Sequence, residues 1–131
     1  MLKEGFKIDD VQNALYPACE GGEFGIIYVL LDQGADVNVP GGNCGTALSA
    51  AVFRGSPEIV TLLLDRGADF NVIGGIYGTA LGAAAYSGNL EIVTILVDQG
   101  ADVNITGGYY GTALGAAVHR GNIRIVTFLL D

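Results

Sequence analysis

The chain has 131 residues, half of them apolar, and its 14 acidic and six basic residues give a formal net charge of −8. Such a surface repels nucleic acid and anionic membranes, because both require basic patches for binding. Only 15% of the residues are charged, which excludes intrinsic disorder, and a chain of this length normally forms one domain.

Two short sequences recur along the chain with a period of 33 residues, and residues 45–77 and 78–110 are identical at 20 of 33 positions. This period predicts an array of stacked units, none of which buries its apolar face alone. We divide the single domain, 1–131, into a partial repeat at 1–37, repeats at 38–70 and 71–103, and a truncated repeat at 104–131. Gly-Thr-Ala-Leu begins at Gly45, Gly78 and Gly111, and Gly-Ala-Asp begins at Gly34, Gly67 and Gly100.

The N-terminal unit begins in mixed charge without an apolar segment, so the sequence predicts no secretion signal. No stretch of the chain reaches the roughly 18 apolar residues of a membrane span. Pro17 replaces an alanine of the later units inside the first helix, and predicts that this helix is shortened or distorted. Cys19 and Cys44 occupy different repeat positions, which indicates reduced thiols and a cytoplasmic location.

Each later unit is predicted to contain two helices. In the second unit the first helix spans Thr46 to Arg54, with the Thr46 hydroxyl as its N-cap and Gly55 at its end. The second helix runs from about Pro57 to Arg66, and its buried stripe includes Ile59, Val60 and Leu63. The equivalent caps in the next units are Thr79 and Thr112, and the equivalent terminal glycines are Gly88 and Gly121.

A hairpin-like turn precedes each first helix, between Asn38 and Thr46 in the second unit. Its Gly-Gly pair, flanked by β-branched and aromatic residues, is typical of a tight turn. Asp36 and Asn38 are expected to hydrogen-bond the backbone that enters this turn. Their recurrence in every unit favours a structural role over a catalytic one.

The last unit has an apolar second helix that stops at Asp131 without a polar cap, although terminal units of an array need polar outer faces. We therefore expect the chain to be a segment of a longer array. The C-terminal helix is expected to be either frayed or covered by another copy of the chain.

The series Gly-Thr-Ala-Leu-x-Ala-Ala, Ile-Val-x-x-Leu and Gly-Ala-Asp-x-Asn resembles the ankyrin repeat over almost the whole chain. The resemblance implies an all-α repeat solenoid of about four repeats, with paired antiparallel helices linked by hairpin-like turns. The near-identical units are similar to arrays of fungal multidomain, immune-receptor-like proteins. Ser49, Gly82 and Gly115 replace the family's histidine, which hydrogen-bonds backbone between repeats. We expect closer helix packing or a water molecule to substitute for it.

The resemblance also implies that proteins bind the concave surface of hairpin tips and first helices. Positions that differ between units are free to specialise, and aromatic residues and arginine are favoured interface anchors. The alternative is that these aromatic side chains only cover neighbouring hairpin backbone. Tyr77 and Tyr110, which recur at one position, are expected to pack between adjacent turns. The predicted partner-binding strip consists of Asn43, Phe53, Arg54, Ile76, Tyr86, Tyr109, His119 and Arg120.

The sequence predicts no catalytic, cofactor-binding or metal site, since its single histidine and two dissimilar cysteines form no catalytic set. The predicted function is a non-enzymatic protein–protein interaction module, the recognition segment of a larger intracellular protein. One alternative is a structural spacer or an array that self-associates through uncapped ends, including the C-terminal helix. A weaker one is a substrate for asparagine hydroxylation at Asn38, Asn71 and Asn104.

Overall fold

The computed structural model describes residues 8–131, which form eight α-helices and, within that range, no strand. Residues 1–7, on which the argument against a secretion signal rests, lie outside the described residues. The helices are α1 (Ile8–Gly21), α2 (Phe24–Asp32), α3 (Ala47–Arg54), α4 (Pro57–Asp65), α5 (Ala80–Ser87), α6 (Leu90–Asp98), α7 (Ala113–His119) and α8 (Ile123–Leu130).

The helices pair in chain order, α1 with α2, α3 with α4, α5 with α6 and α7 with α8. Two or three residues join the members of each pair, so the two helices run antiparallel. The first helices, α1, α3, α5 and α7, pack in one layer, and the second helices pack in another. The predicted helical solenoid is confirmed.

The predicted helix caps are present. The Thr46 hydroxyl accepts the Ser49 N–H at 3.1 Å, and Thr79 and Thr112 make the same bond in α5 and α7. Gly55 ends α3 with φ at 87°, a left-handed conformation that glycine adopts without steric cost. The signals at both ends of α3 and α5 were therefore read correctly from the sequence, whereas α7 is capped by Arg120, one residue before Gly121.

Burial at a single repeat position shows how the units stack. An isoleucine near the start of the second helix is 53% exposed at Ile26, but 2% at Ile59 and 0% at Ile92. The helix chemistry is the same in each case, so the preceding unit supplies the burial. At a position in the first helix the order reverses: Val52 is 0% exposed and Val118, in the last described unit, is 60% exposed. Each unit thus completes the core of its neighbour.

The glycines that replace the family's histidine allow a close approach between helix and hairpin. A Cβ added at Gly82 lies 2.0 Å from the carbonyl oxygen of Tyr77, and one at Gly115 lies 2.2 Å from that of Tyr110. Real Cβ atoms do not approach an oxygen this closely, so α5 and α7 require glycine here. Both contacts lie within one unit, so the expectation that closer helix packing or a water molecule replaces the bond between repeats stays a prediction.

In the first unit, a tyrosine and not a glycine occupies the position of the family's histidine. Tyr16 lies one period before Ser49, and its hydroxyl oxygen accepts the backbone N–H of Cys44 at 2.9 Å. Burial raises the pKa of Tyr16 to about 12, so the phenol stays neutral. A side chain therefore links the first helix to the next hairpin, which the sequence analysis did not foresee.

The turns between units are held by the predicted Asp and Asn side chains. Asp36 Oδ1 accepts the Asn38 N–H at 2.9 Å, and Asn38 Oδ1 accepts the Asp69 N–H of the next unit at 2.7 Å. Asn71 repeats this bond to Asp102. These residues connect successive units, which confirms their structural role.

The expectation that Pro17 shortens the first helix is wrong: α1 has 14 residues with Pro17 inside it. That Pro17 distorts α1 stays a prediction. An internal proline removes one backbone hydrogen bond and crowds the carbonyl of the preceding turn, yet the exposed Pro17 leaves Leu15 and Cys19 buried in the core. The last helix, α8, runs continuously to Leu130, and the expectation that it is either frayed or covered by another copy stays a prediction.

Candidate functional site

The hairpins, residues 39–45, 72–78 and 105–111, place the variable tip residues in a row. Each hairpin is closed by a backbone bond, such as Gly74 N–H to the Gly78 carbonyl at 2.7 Å. Successive tips are joined by backbone as well: Ile76 N–H donates to the Asn43 carbonyl at 3.1 Å, and Tyr109 N–H donates to the Ile76 carbonyl at 2.8 Å. The stack therefore uses the backbone of the tips and not their side chains.

The tip side chains consequently point into solvent. Tyr109 is 82% exposed and Ile76 is 49% exposed, and Asn43 is also exposed. Ile76 leaves about half of its surface in water, so its burial stabilises the fold less than that of a core isoleucine. These three positions differ between units at no cost to the stack.

Behind the tips, five rings form one continuous aromatic stack along the array. Tyr77 contacts both Phe53 and Tyr86, with ring centroids 5.1 and 4.8 Å away, while the rings of Phe53 and Tyr86 lie 6.3 Å from each other. Tyr110 contacts Tyr86 and His119 in the same way, at 5.3 and 4.7 Å, and these two rings lie 6.5 Å apart. These separations fall in the range of favourable ring contacts. The aromatic stack comprises Phe53, Tyr77, Tyr86, Tyr110 and His119.

The residues of the aromatic stack show features of both expectations, an exposed binding strip and packing within the array. The side chains of Phe53, Tyr86 and His119 share one side of the array, and Phe53 and His119 remain exposed. They also pack, because neighbouring first-helix rings stack on each other and each hairpin tyrosine lies against two of them. Tyr77 and Tyr110 thus contact the first-helix rings of adjacent units. Burial raises the pKa of Tyr77, so its phenol is neutral.

The arginines of the strip reach back toward the preceding unit. The Arg120 guanidinium carbon lies 4.9 Å from the centroid of the Tyr86 ring, a cation–π contact. Arg54, which occupies the same repeat position in the second unit, donates a hydrogen bond from its guanidinium to the Glu20 carbonyl oxygen at 3.0 Å. Both side chains are exposed, so the positive charges stay available at the surface.

Charge is segregated across the array, a feature that the sequence analysis missed. Residues 39–55, 72–88 and 105–121, which form the hairpins and first helices, contain no Asp or Glu. The acidic residues of these units lie on the second helices and in the turns after them. The strip is therefore neutral to basic on a chain of charge −8. Counting charges by repeat position would have revealed this from the sequence.

Among the described residues, no group of three or more His, Cys, Asp or Glu side chains is placed to hold a metal ion. Cys19 and Cys44 are free thiols, both buried, and burial raises the pKa of Cys19 to about 12. No helix within residues 8–131 combines the length and apolar character required to cross a membrane.

Two family models match the chain. One, described as ankyrin repeats (3 copies), matches residues 1–74, and the other, ankyrin repeats (many copies), matches residues 81–130. A search of curated proteins finds no significant match. The first family match covers more than half of the chain and agrees with the stacked helix pairs of the structure. The chain therefore belongs to the ankyrin repeat family.

Proposed function

We propose that this chain is a non-enzymatic protein-interaction module that binds its partner with the strip of hairpin tips and first helices. Ankyrin repeats are generally protein-interaction modules and generally lack enzymatic activity. The observation that carries the proposal is that backbone atoms and side chains have different roles at the hairpin tips. Backbone atoms of Asn43, Ile76 and Tyr109 hold the stack, while their side chains vary and face solvent.

The chemistry of the strip supports a protein partner. Tyrosine and arginine are enriched among residues that dominate binding energy, and here Tyr109 and Arg120 flank the aromatic stack. The stack already fixes Tyr86 and His119 against each other, so binding orders few additional side chains. The acid-free strip also favours a partner segment that carries negative charge.

A peptide library displayed on phage and selected against the immobilised chain tests this function. Selected peptides should lose about tenfold or more in affinity for the strip variant I76A/Y109A/R120A, because exposed anchors are removed. The control variant E58Q/E91Q changes exposed residues of the second helices and should bind normally. Failure to select any peptide, or equal binding to the strip variant, would contradict the proposal.

The proposal extends to the context of the chain. The near-identity of residues 45–77 and 78–110, 20 of 33 positions, resembles fungal immune-receptor-like arrays. This supports a recognition segment within a larger intracellular protein. The free, buried thiols of Cys19 and Cys44 support a cytoplasmic location.

One observation favours the alternative of self-association. In the last described unit, Val118 is 60%, Ile123 72% and Leu130 67% exposed, although their equivalents Val52, Pro57 and Leu64 are buried or half-buried within the array. Such an apolar end matches the next unit of a repeat stack. A molecular mass that rises with concentration in light scattering would support head-to-tail stacking of copies.

A further inference from the structure

The aromatic stack is interrupted at the N-terminal end of the strip. Cys44 occupies the repeat position of Tyr77 and Tyr110, and Glu20 occupies that of Phe53, Tyr86 and His119. Beside Cys44 the surface forms a pocket. In the next two units a tyrosine ring lies at the equivalent position, whereas here the position is open. The pocket is lined by Glu20, Cys44, Ala50, Phe53 and Arg54.

The two complete sites define what fits such a position. Each hairpin tyrosine contacts two first-helix rings, at 5.1 and 4.8 Å for Tyr77 and 5.3 and 4.7 Å for Tyr110. Phe53 is nearly parallel to Tyr77, with an interplanar angle of 14°. Phe53 also lines the pocket and is 42% exposed. It therefore has ring surface that no aromatic side chain among residues 8–131 covers within the pocket.

The pocket is chemically suited to an aromatic group. Its floor is formed by Ala50 and by the buried Cys44 thiol, whose pKa is raised by burial, so that it stays neutral. At the rim, Arg54 is held by its bond to the Glu20 carbonyl oxygen. The exposed Glu20 carboxylate adds an acceptor for a phenol hydroxyl. An apolar floor with a polar rim matches the amphipathic shape of tyrosine.

We propose that this pocket binds a tyrosine side chain of the partner protein, whose ring stacks on Phe53 in place of the missing hairpin tyrosine. This inference rests on the proposed protein-binding function and identifies the anchor of that partner. The chain thus extends its own aromatic stack with a ring supplied by the partner. The neighbouring acid-free surface then contacts the residues around this tyrosine.

Titration of N-acetyl-tyrosinamide into the ¹⁵N-labelled chain, followed by NMR, tests the pocket directly. We expect saturable shifts at the amides of Cys44, Ala50 and Phe53, with a dissociation constant of about 1–10 mM, typical of a small fragment. N-acetyl-leucinamide is the control probe and should bind at least about fivefold more weakly, because it cannot stack. No saturable shift, or equal binding of both probes, would overturn the inference.

The chain itself offers matched variants. C44Y fills the pocket with the residue found at this position in the next two units and should weaken probe binding by about tenfold or more. C44A also removes the thiol but leaves the pocket open, and should bind the probe as the wild type does. If C44Y is folded, as judged by circular dichroism, and binds the probe as the wild type does, the inference is overturned. If C44Y does not fold, F53L removes the stacking surface and must show the same loss.

The peptides selected against the chain separate this inference from the proposed function. Peptides that bind the pocket should contain tyrosine and lose affinity for C44Y. Peptides that depend on Ile76, Tyr109 and Arg120 but bind C44Y normally would overturn the pocket and leave the proposed function intact. Peptides that bind both the strip variant I76A/Y109A/R120A and C44Y with the affinity of the wild type would overturn the proposed function.

Discussion

Replacing Gly78 by alanine should lower the free energy of unfolding by about 3–4 kcal/mol. Gly78 has a φ of 81°, which costs a residue with a side chain about 1–2 kcal/mol. In addition, the new Cβ would lie 2.5 Å from the Gly107 carbonyl oxygen of the next hairpin. Backbone cannot move away there without breaking the bond between the tips of Ile76 and Tyr109. The hairpins would separate.

Gly111 is the matched control for this substitution. It occupies the same repeat position with a φ of 82°, but no atom lies within 4 Å of an added Cβ. G111A should therefore cost only the conformational part, about 1–2 kcal/mol. Urea unfolding followed by circular dichroism measures both values. Equal losses in the two variants would show that contact between hairpins contributes nothing to stability.

Truncating Ile92 to alanine should destabilise the chain by about 2–5 kcal/mol, the usual range for a large buried aliphatic side chain. Ile92 is fully buried in α6, where it belongs to the core shared by neighbouring units. The loss combines the apolar area returned to water with the cavity left between units. Urea unfolding again provides the measurement.

Ile26 is the control at the same repeat position. It is 53% exposed because no described unit precedes α2, so I26A should cost less than about 1 kcal/mol. The comparison holds residue type and helix position constant and changes only the presence of a neighbour. A similar loss in I26A and I92A would be inconsistent with burial between units.

Much of the fold was predictable because repetition supplied the evidence within one sequence. The Thr46 cap, the terminal Gly55 and the apolar positions of Ile59 and Val60 follow from local rules for helices, and recurrence every 33 residues removed ambiguity. The continuity of α1 through Pro17 was not predictable from these rules. Tertiary packing of Leu15 and Cys19 outweighs the loss of one backbone bond.

The candidate site was predictable in outline but not in its contacts. Positions that vary between units identified the tips and the exposed side of the first helix. That Tyr77 contacts both Phe53 and Tyr86 depends on the spacing between units, which a repeat pattern does not specify. The pocket at Cys44 was not predictable for the same reason. The lack of a ring at this position could be recognised as a gap only once the aromatic stack was known.

Hydrogen exchange at the amides of Ile76 and Tyr109 tests the central claim most directly. Both N–H groups lie at exposed hairpin tips, yet each donates to the tip carbonyl of the preceding unit at 3.1 and 2.8 Å. If backbone contacts between units hold the array, both amides should exchange only through cooperative opening, about a hundredfold or more slower than an unstructured peptide. Exchange at the unstructured rate would mean that the tips do not stack, and would contradict the account.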